Sequence, residues 1–68
     1  MDKFKLEYEM RKNGVGDQEM AKRLNLSRSA FYRKKNGKTE FTLAEIKGII
    51  SILGLSSPME IFFAEMVS

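Results

Sequence analysis

Apolar residues recur along this chain at three- and four-residue spacings, in short runs broken by Gly, Asn and Ser, a pattern that predicts five short helices. The first starts after Asp2 as N-cap, sets Leu6 and Met10 one turn apart and stops at Asn13-Gly14, where Gly supplies the left-handed residue that ends a helix. The second begins near Gly16-Asp17 and carries Met20, Ala21 and Leu24 on one face, and the third runs from Ser27 to Asn36-Gly37. The fourth opens on Thr42-Leu43-Ala44-Glu45, a capping box, with Phe41 placed to staple onto Ile46 and a stripe of Ile46, Ile49, Ile50 and Leu53 ahead of Gly54. The fifth opens on Ser57-Pro58-Met59-Glu60, with an N-cap Ser, Pro at the first helical position and Glu at the third, and continues through Ile61, Phe62, Phe63 and Met66. Strand signals are confined to the alternation of Phe4, Leu6, Tyr8 and Met10, too polar in between and too isolated to pair.

Length and composition narrow the classes of function. Sixty-eight residues without a repeat or a Pro-, Gly- or Ser-rich linker predict a single domain over 1–68. There is no Cys and no His, which removes disulfides, Cys-containing zinc sites and the commonest acid/base side chain. The nine carboxylates fall on separate helix faces or caps, so no catalytic residue, metal ligand or cofactor site is assigned, and neither an enzyme nor a small-molecule substrate is expected. No apolar run reaches the length of a signal core or a membrane span, so a soluble cytoplasmic protein is expected.

Charge changes the picture. Between Lys22 and Lys38 lie seven Lys or Arg and no acid, while the rest of the chain holds five bases and nine acids, so the excess behind the net +3 is local. A one-sided cationic segment gains free energy by releasing counterions from a polyanion, and a phosphate backbone is the leading partner. The segment spans two helices separated by Asn25, Leu26 and Ser27, a junction that forces a steep crossing. It demands a small residue where the backbones approach, a residue tolerant of positive φ and an apolar plug; Ala21, Asn25 and Leu26 supply them. Phe31, folded back onto Met20 and Leu24, turns Arg28, Ser29, Tyr32 and Arg33 outward on the helix Arg28 to Lys35. Arg reads guanine bidentately, Ser serves several bases and Tyr touches a phosphate or a thymine methyl, so these four are candidate base contacts in the major groove. Gln18, Ser27, Lys34, Lys35, Asn36 and Lys38 are candidate phosphate contacts, helped by the backbone N–H groups of the Asn36-Gly37 turn.

At Glu19-Met20-Ala21, Leu24-Asn25-Leu26-Ser27, Asn36-Gly37-Lys38 and the helix from Leu43 to Leu55 ending in Leu-Gly-Leu-Ser, the chain resembles the Cro and phage lambda-repressor-like (XRE-type) family. The resemblance covers roughly residues 4 to 67. It implies an all-α, compact five-helix domain with a helix-turn-helix in helices 2 and 3, helix 3 reading a pseudo-palindromic double-stranded DNA operator, and binding as a homodimer. Many members regulate transcription in phages and prophages, and a small Cro-like repressor is the role implied. The chain departs from the family in three places. Asp17 stands where a phosphate-clamping Gln is usual, with Gln18 next to it as a substitute. Lys34 replaces an apolar residue, and Met10 and Lys35 replace an Arg–Glu pair.

A core this small does not easily bury both Phe62 and Phe63 together with Met59, Ile61, Met66 and Val67, so Phe62, Phe63 and Met66 are assigned to a dimer seam. The alternative reading is a protein-interaction module, anti-repressor or antitoxin-like, that offers the same bases to an acidic partner. Antitoxins commonly carry an extra tail to occlude a toxin, and none is read beyond Ser68, an expectation that weighs against the antitoxin role but not against an anti-repressor.

Overall fold

The helix boundaries follow from local capping chemistry. Asp2 Oδ1 accepts the N–H of Lys5 at 3.2 Å and starts α1, Lys3–Lys12. Gly16 precedes α2, Asp17–Arg23, and the Ser27 hydroxyl accepts the N–H of Ala30 at 3.0 Å to start α3, Arg28–Lys35. Before α4, Leu43–Leu53, the capping box is complete: Thr42 Oγ1 accepts the N–H of Glu45 at 3.1 Å while Glu45 Oε1 accepts the N–H of Thr42 at 2.9 Å. Gly54 ends α4 at φ 61° and ψ 43°, where a side chain would be strained. The fifth helix, α5, covers Pro58–Phe62 and is followed by a 3-10 turn over Ala64–Met66. This computed structural model describes residues 1–66, and Val67 lies outside them. Among the described residues there is no strand, so the all-α, five-helix fold is the one predicted, and no helix is long and apolar enough to cross a membrane.

The fifth helix departs from expectation in two ways. Ser57 occupies the N-cap position but its side chain makes no capping hydrogen bond. The helix also stops at Phe63, at φ −127° and ψ 38°, instead of running on to Met66. The cause lies at the other end of the chain. The Ile61 carbonyl, which a continuing helix would give to residue 65, accepts the N–H of Asp2 at 2.7 Å. Glu65 then meets the N-terminal ammonium of Met1 at 2.9 Å, an exposed pair that ties the start of the chain to the turn after α5. The hydrogen bond from that ammonium and its positive charge hold the Glu65 carboxyl below its ordinary range.

The core gathers Leu6 and Met10 of α1, Met20 and Ala21 of α2, Phe31 of α3, Ile49 and Leu53 of α4, and Ile61 and Phe62 of α5. The predicted α4 stripe divides: Ile49 and Leu53 are buried, while Ile46 and Ile50 are partly covered. At Gly48 a Cβ would lie 2.8 Å from Leu24 Cδ2, so the glycine gives the tip of the Leu24 side chain room against α4, at roughly 1 kcal/mol of helix propensity. Phe41, read from sequence only as a staple, does more. Its ring sits 5.8 Å from Phe31 and 6.1 Å, edge to face, from Phe62. The α3–α4 connection is thereby held between α3 and the C-terminal end of the molecule. Phe62 is 6% exposed, and this aromatic run is where it is buried, which removes it from the proposed seam. Replacing Phe41 with Ala is expected to destabilise the fold by about 2 to 4 kcal/mol, and with Leu by less than half as much, in urea unfolding monitored by far-UV circular dichroism.

Candidate nucleic-acid interface

The α2–α3 junction is built from the residues that its tightness requires. Ala21 is 2% exposed at the crossing, Asn25 takes φ 59° in the turn, and the N–H of Leu26 closes back onto the Ala21 carbonyl at 2.8 Å. Phe31, fully buried one turn into α3, fixes which face of that helix is inside. Arg28, Ser29, Tyr32 and Arg33 are all exposed and line one shallow, open depression. Sequence spacing alone had grouped these four, and the fold brings them together. Ser27 is exposed too; its hydroxyl oxygen caps α3, which leaves the proton free to donate outward. Gln18 and Lys38 are exposed and carry no side-chain hydrogen bond among the described residues. Lys22 and Arg23 are exposed on α2, Arg23 in a loose 3.5 Å pair with Glu19 of the kind that contributes little.

The C-terminal end of α3 corrects the expected set of phosphate anchors. Lys34 Nζ lies 2.6 Å from Glu45 Oε1, with both side chains largely covered, so its charge ties α3 to the start of α4. Lys35 is 6% exposed and its ammonium meets three carboxylate oxygens, Asp17 Oδ2 at 2.9 Å, Asp17 Oδ1 at 3.0 Å and Glu7 Oε2 at 3.2 Å. An ammonium has three N–H groups, and here each has an acceptor, which leaves none for a phosphate. Asn36 is engaged on both sides of its amide: Oδ1 accepts from Lys3 Nζ at 2.7 Å and Nδ2 donates to the Tyr32 carbonyl at 2.8 Å. The turn's backbone is no freer, because the N–H groups of Asn36, Gly37 and Lys38 donate to the carbonyls of Tyr32, Lys34 and Arg33. Lys34, Lys35 and Asn36 are therefore internal ties, and of the bases expected at this end only Lys38 projects outward.

Burial alone would push the Lys35 pKa down, but its hydrogen bonds to Asp17 and Glu7 and their negative charge outweigh it and hold the ammonium above the ordinary lysine value. For Glu45 the balance runs in the mirror sense. Burial would raise its pKa, while the bond from Lys34, the N–H of Thr42 and the Lys34 charge bring it below the ordinary value of 4.5. Sequence reasoning paired Lys35 with Met10 as a joint loss of both ion-pair partners; the structure instead gives Lys35 two carboxylates from α1 and α2. Glu7 and Asp17 are the residues missed. The signal available was that an acid and a base had replaced Gln and Glu at two positions of one family pattern.

A family model described as Cro/C1-type HTH DNA-binding domain matches residues 5–64. No curated protein and no solved structure matches the chain.

The Glu45 pair gives the fold a defined acid response. Because the folded-state pKa is depressed, the carboxylate's contribution is present above the ordinary value of 4.5 and is lost as pH falls through the lower folded value. Glu45→Gln is expected to cost about 1 to 2 kcal/mol near pH ~7 and markedly less near pH ~3, read from urea midpoints of both proteins at the two pH values.

Proposed function

The chain belongs to the Cro/C1-type helix-turn-helix DNA-binding family, and from that premise we propose that it is a sequence-specific regulator of transcription. In this reading residues 1–68 act as one domain that inserts α3 into the major groove of an operator. Membership supports DNA binding and regulation in general. What supports sequence reading in particular is the single open depression lined by Arg28, Ser29, Tyr32 and Arg33, a set with two bidentate donors, a hydroxyl and an amphipathic ring. The role of each follows from its chemistry. Arg28 and Arg33 take guanine O6 and N7, Ser29 adapts to either partner, and Tyr32 covers a thymine methyl or reaches a phosphate.

Phosphate contacts fall to Gln18 at the start of α2, Ser27 at the start of α3 and Lys38 beyond its end, which brackets the reading helix. Gln18 stands in for the Gln that the family places one position earlier. The protein acts without catalysis and in the cytoplasm, as a small Cro-like repressor of phage or prophage type. Two copies bind a pseudo-palindrome, with Phe63 and Met66 in the seam. Met66 is 74% exposed and Phe63 partly covered beside it, an apolar pair next to a surface groove that also includes Phe41 and Ile46.

Selection of bound duplexes from a random pool at physiological salt is expected to yield a two-fold symmetric site, and recovery of random sequence would sink the assignment. Arg33→Ala should cost about 1 to 3 kcal/mol on the selected site and relax preference at one base pair, whereas Lys38→Ala should weaken all duplexes alike and lower the slope of log K against log salt by roughly one. Lys34→Ala should leave that slope unchanged. Met66→Asp is expected to shift sedimentation equilibrium toward monomer and to reduce binding of the full palindrome more than of a half-site.

A further inference from the structure

The reading face of α3 depends on an inward-facing charge. Past Phe31 the helix has no apolar residue on its inner side, and the positions that face the body of the protein are Lys34 and Lys35. The last turn of a recognition helix is usually held by packing; here directional ion pairs hold it, each to a different neighbour. Lys34 reaches α4 through Glu45. Lys35 reaches α2 through Asp17 and α1 through Glu7. Of these, Lys35 alone also faces a reading residue, its Nζ lying 5.9 Å from the centroid of the Tyr32 ring, within the range of a cation–π contact. The Tyr32 backbone is tied into the same region, since its carbonyl accepts from the Asn36 amide, which Lys3 holds in turn.

We infer that Lys35 is a positioning residue for base recognition: clasped by Asp17 and Glu7, its ammonium sets the angle of the last turn of α3 and the pose of the Tyr32 ring. The inference rests on the proposal that α3 reads bases. Three acceptors in two helices fix the ammonium in space better than one would. A cation so fixed beside the Tyr32 ring restricts the ring to fewer poses than an exposed Tyr explores alone. The arrangement also explains how Asp17 is tolerated at a position that a phosphate-clamping residue occupies in the family. The carboxylate hydrogen-bonds Lys35 through both oxygens, which masks its charge beside the start of α2.

The test compares Lys35→Met, which keeps the stem and removes the ammonium, with Lys35→Arg, Tyr32→Ala and the Lys35→Met/Tyr32→Ala double variant. Affinity for the operator selected by the wild-type protein is set against affinity for random duplex, each corrected for folded fraction. Lys35→Met is expected to lose on the order of tenfold in the operator-to-random ratio, with relaxed preference confined to the base pair whose preference Tyr32→Ala also relaxes. The double variant should lose little more than either single one, and Lys35→Arg, which keeps the positive charge, should recover most of the ratio. Equal losses on operator and random duplex, or full additivity of the two substitutions, would reduce Lys35 to a stabilising residue and overturn the proposal. If Lys35→Met does not fold, Asp17→Asn carries the same comparison, and an unaltered ratio there overturns the proposal equally. A wild-type protein that selects no sequence overturns the base-reading proposal itself, an outcome seen before any variant is made.

Discussion

A domain this small has apolar material to hold only part of α3, and the rest of the structure follows from how the remainder is held. Phe31 enters the core completely and sets the rotation of α3 about its own axis. One buried residue beside a tight turn leaves the tilt of the last turn open, because the helix has only eight residues and its inner face beyond Phe31 is cationic. Lys35 closes that degree of freedom. Its burial carries a desolvation cost that only close, well-directed acceptors offset, and Asp17 and Glu7 provide three oxygens within hydrogen-bonding or ion-pairing distance. Loss of the ammonium would leave two partly buried acids facing each other, so α1, α2 and α3 are locked through one atom.

The charge of the cationic segment divides by direction. Lys34 and Lys35 point inward and act on the protein; Lys22, Arg23, Arg28, Arg33 and Lys38 are exposed and available to a polyanion. Counting bases in the segment therefore overstates its phosphate contacts, and salt dependence should follow the outward set alone. The division also separates affinity from specificity. Outward charge attracts any duplex, whereas the inward pairs, partly shielded from solvent and so less screened, can keep the exposed side chains of α3 in one arrangement across a range of ionic strengths.

Much of the fold was legible because it is written in neighbouring residues. Asp2, Ser27 and the Thr42–Glu45 box act within three positions of themselves, and Asn25 and Gly54 adopt the backbone that their identities allow. The outward quartet was legible for the same reason, since helical periodicity places Arg28, Ser29, Tyr32 and Arg33 opposite Phe31. What escaped reading involved residues distant in sequence. Lys35 and Asp17 are 18 positions apart and Lys3 and Asn36 are 33 apart, and a base with a remote acid looks the same in sequence as a base awaiting a phosphate. The end of α5 was illegible for a related reason: its interrupting hydrogen bond comes from Asp2.

The burial of Phe62 and the partial exposure of Phe63 have a common origin in that interruption. Adjacent residues on a continuing helix point about 100° apart, and the core can take only one of them. By ending α5 at Phe62, the Asp2–Ile61 bond commits that ring to the aromatic run through Phe41 to Phe31 and turns the following residues along the surface. The same run reaches the buried face of α3. A partner seated against Phe63 and Met66 would therefore press on a groove whose floor includes Phe41, a ring in contact with the residue that fixes α3. Any coupling between association and DNA reading has a packed route of three aromatic rings, and it runs through the residue that sets the rotation of α3, separately from the ion pairs that set its tilt.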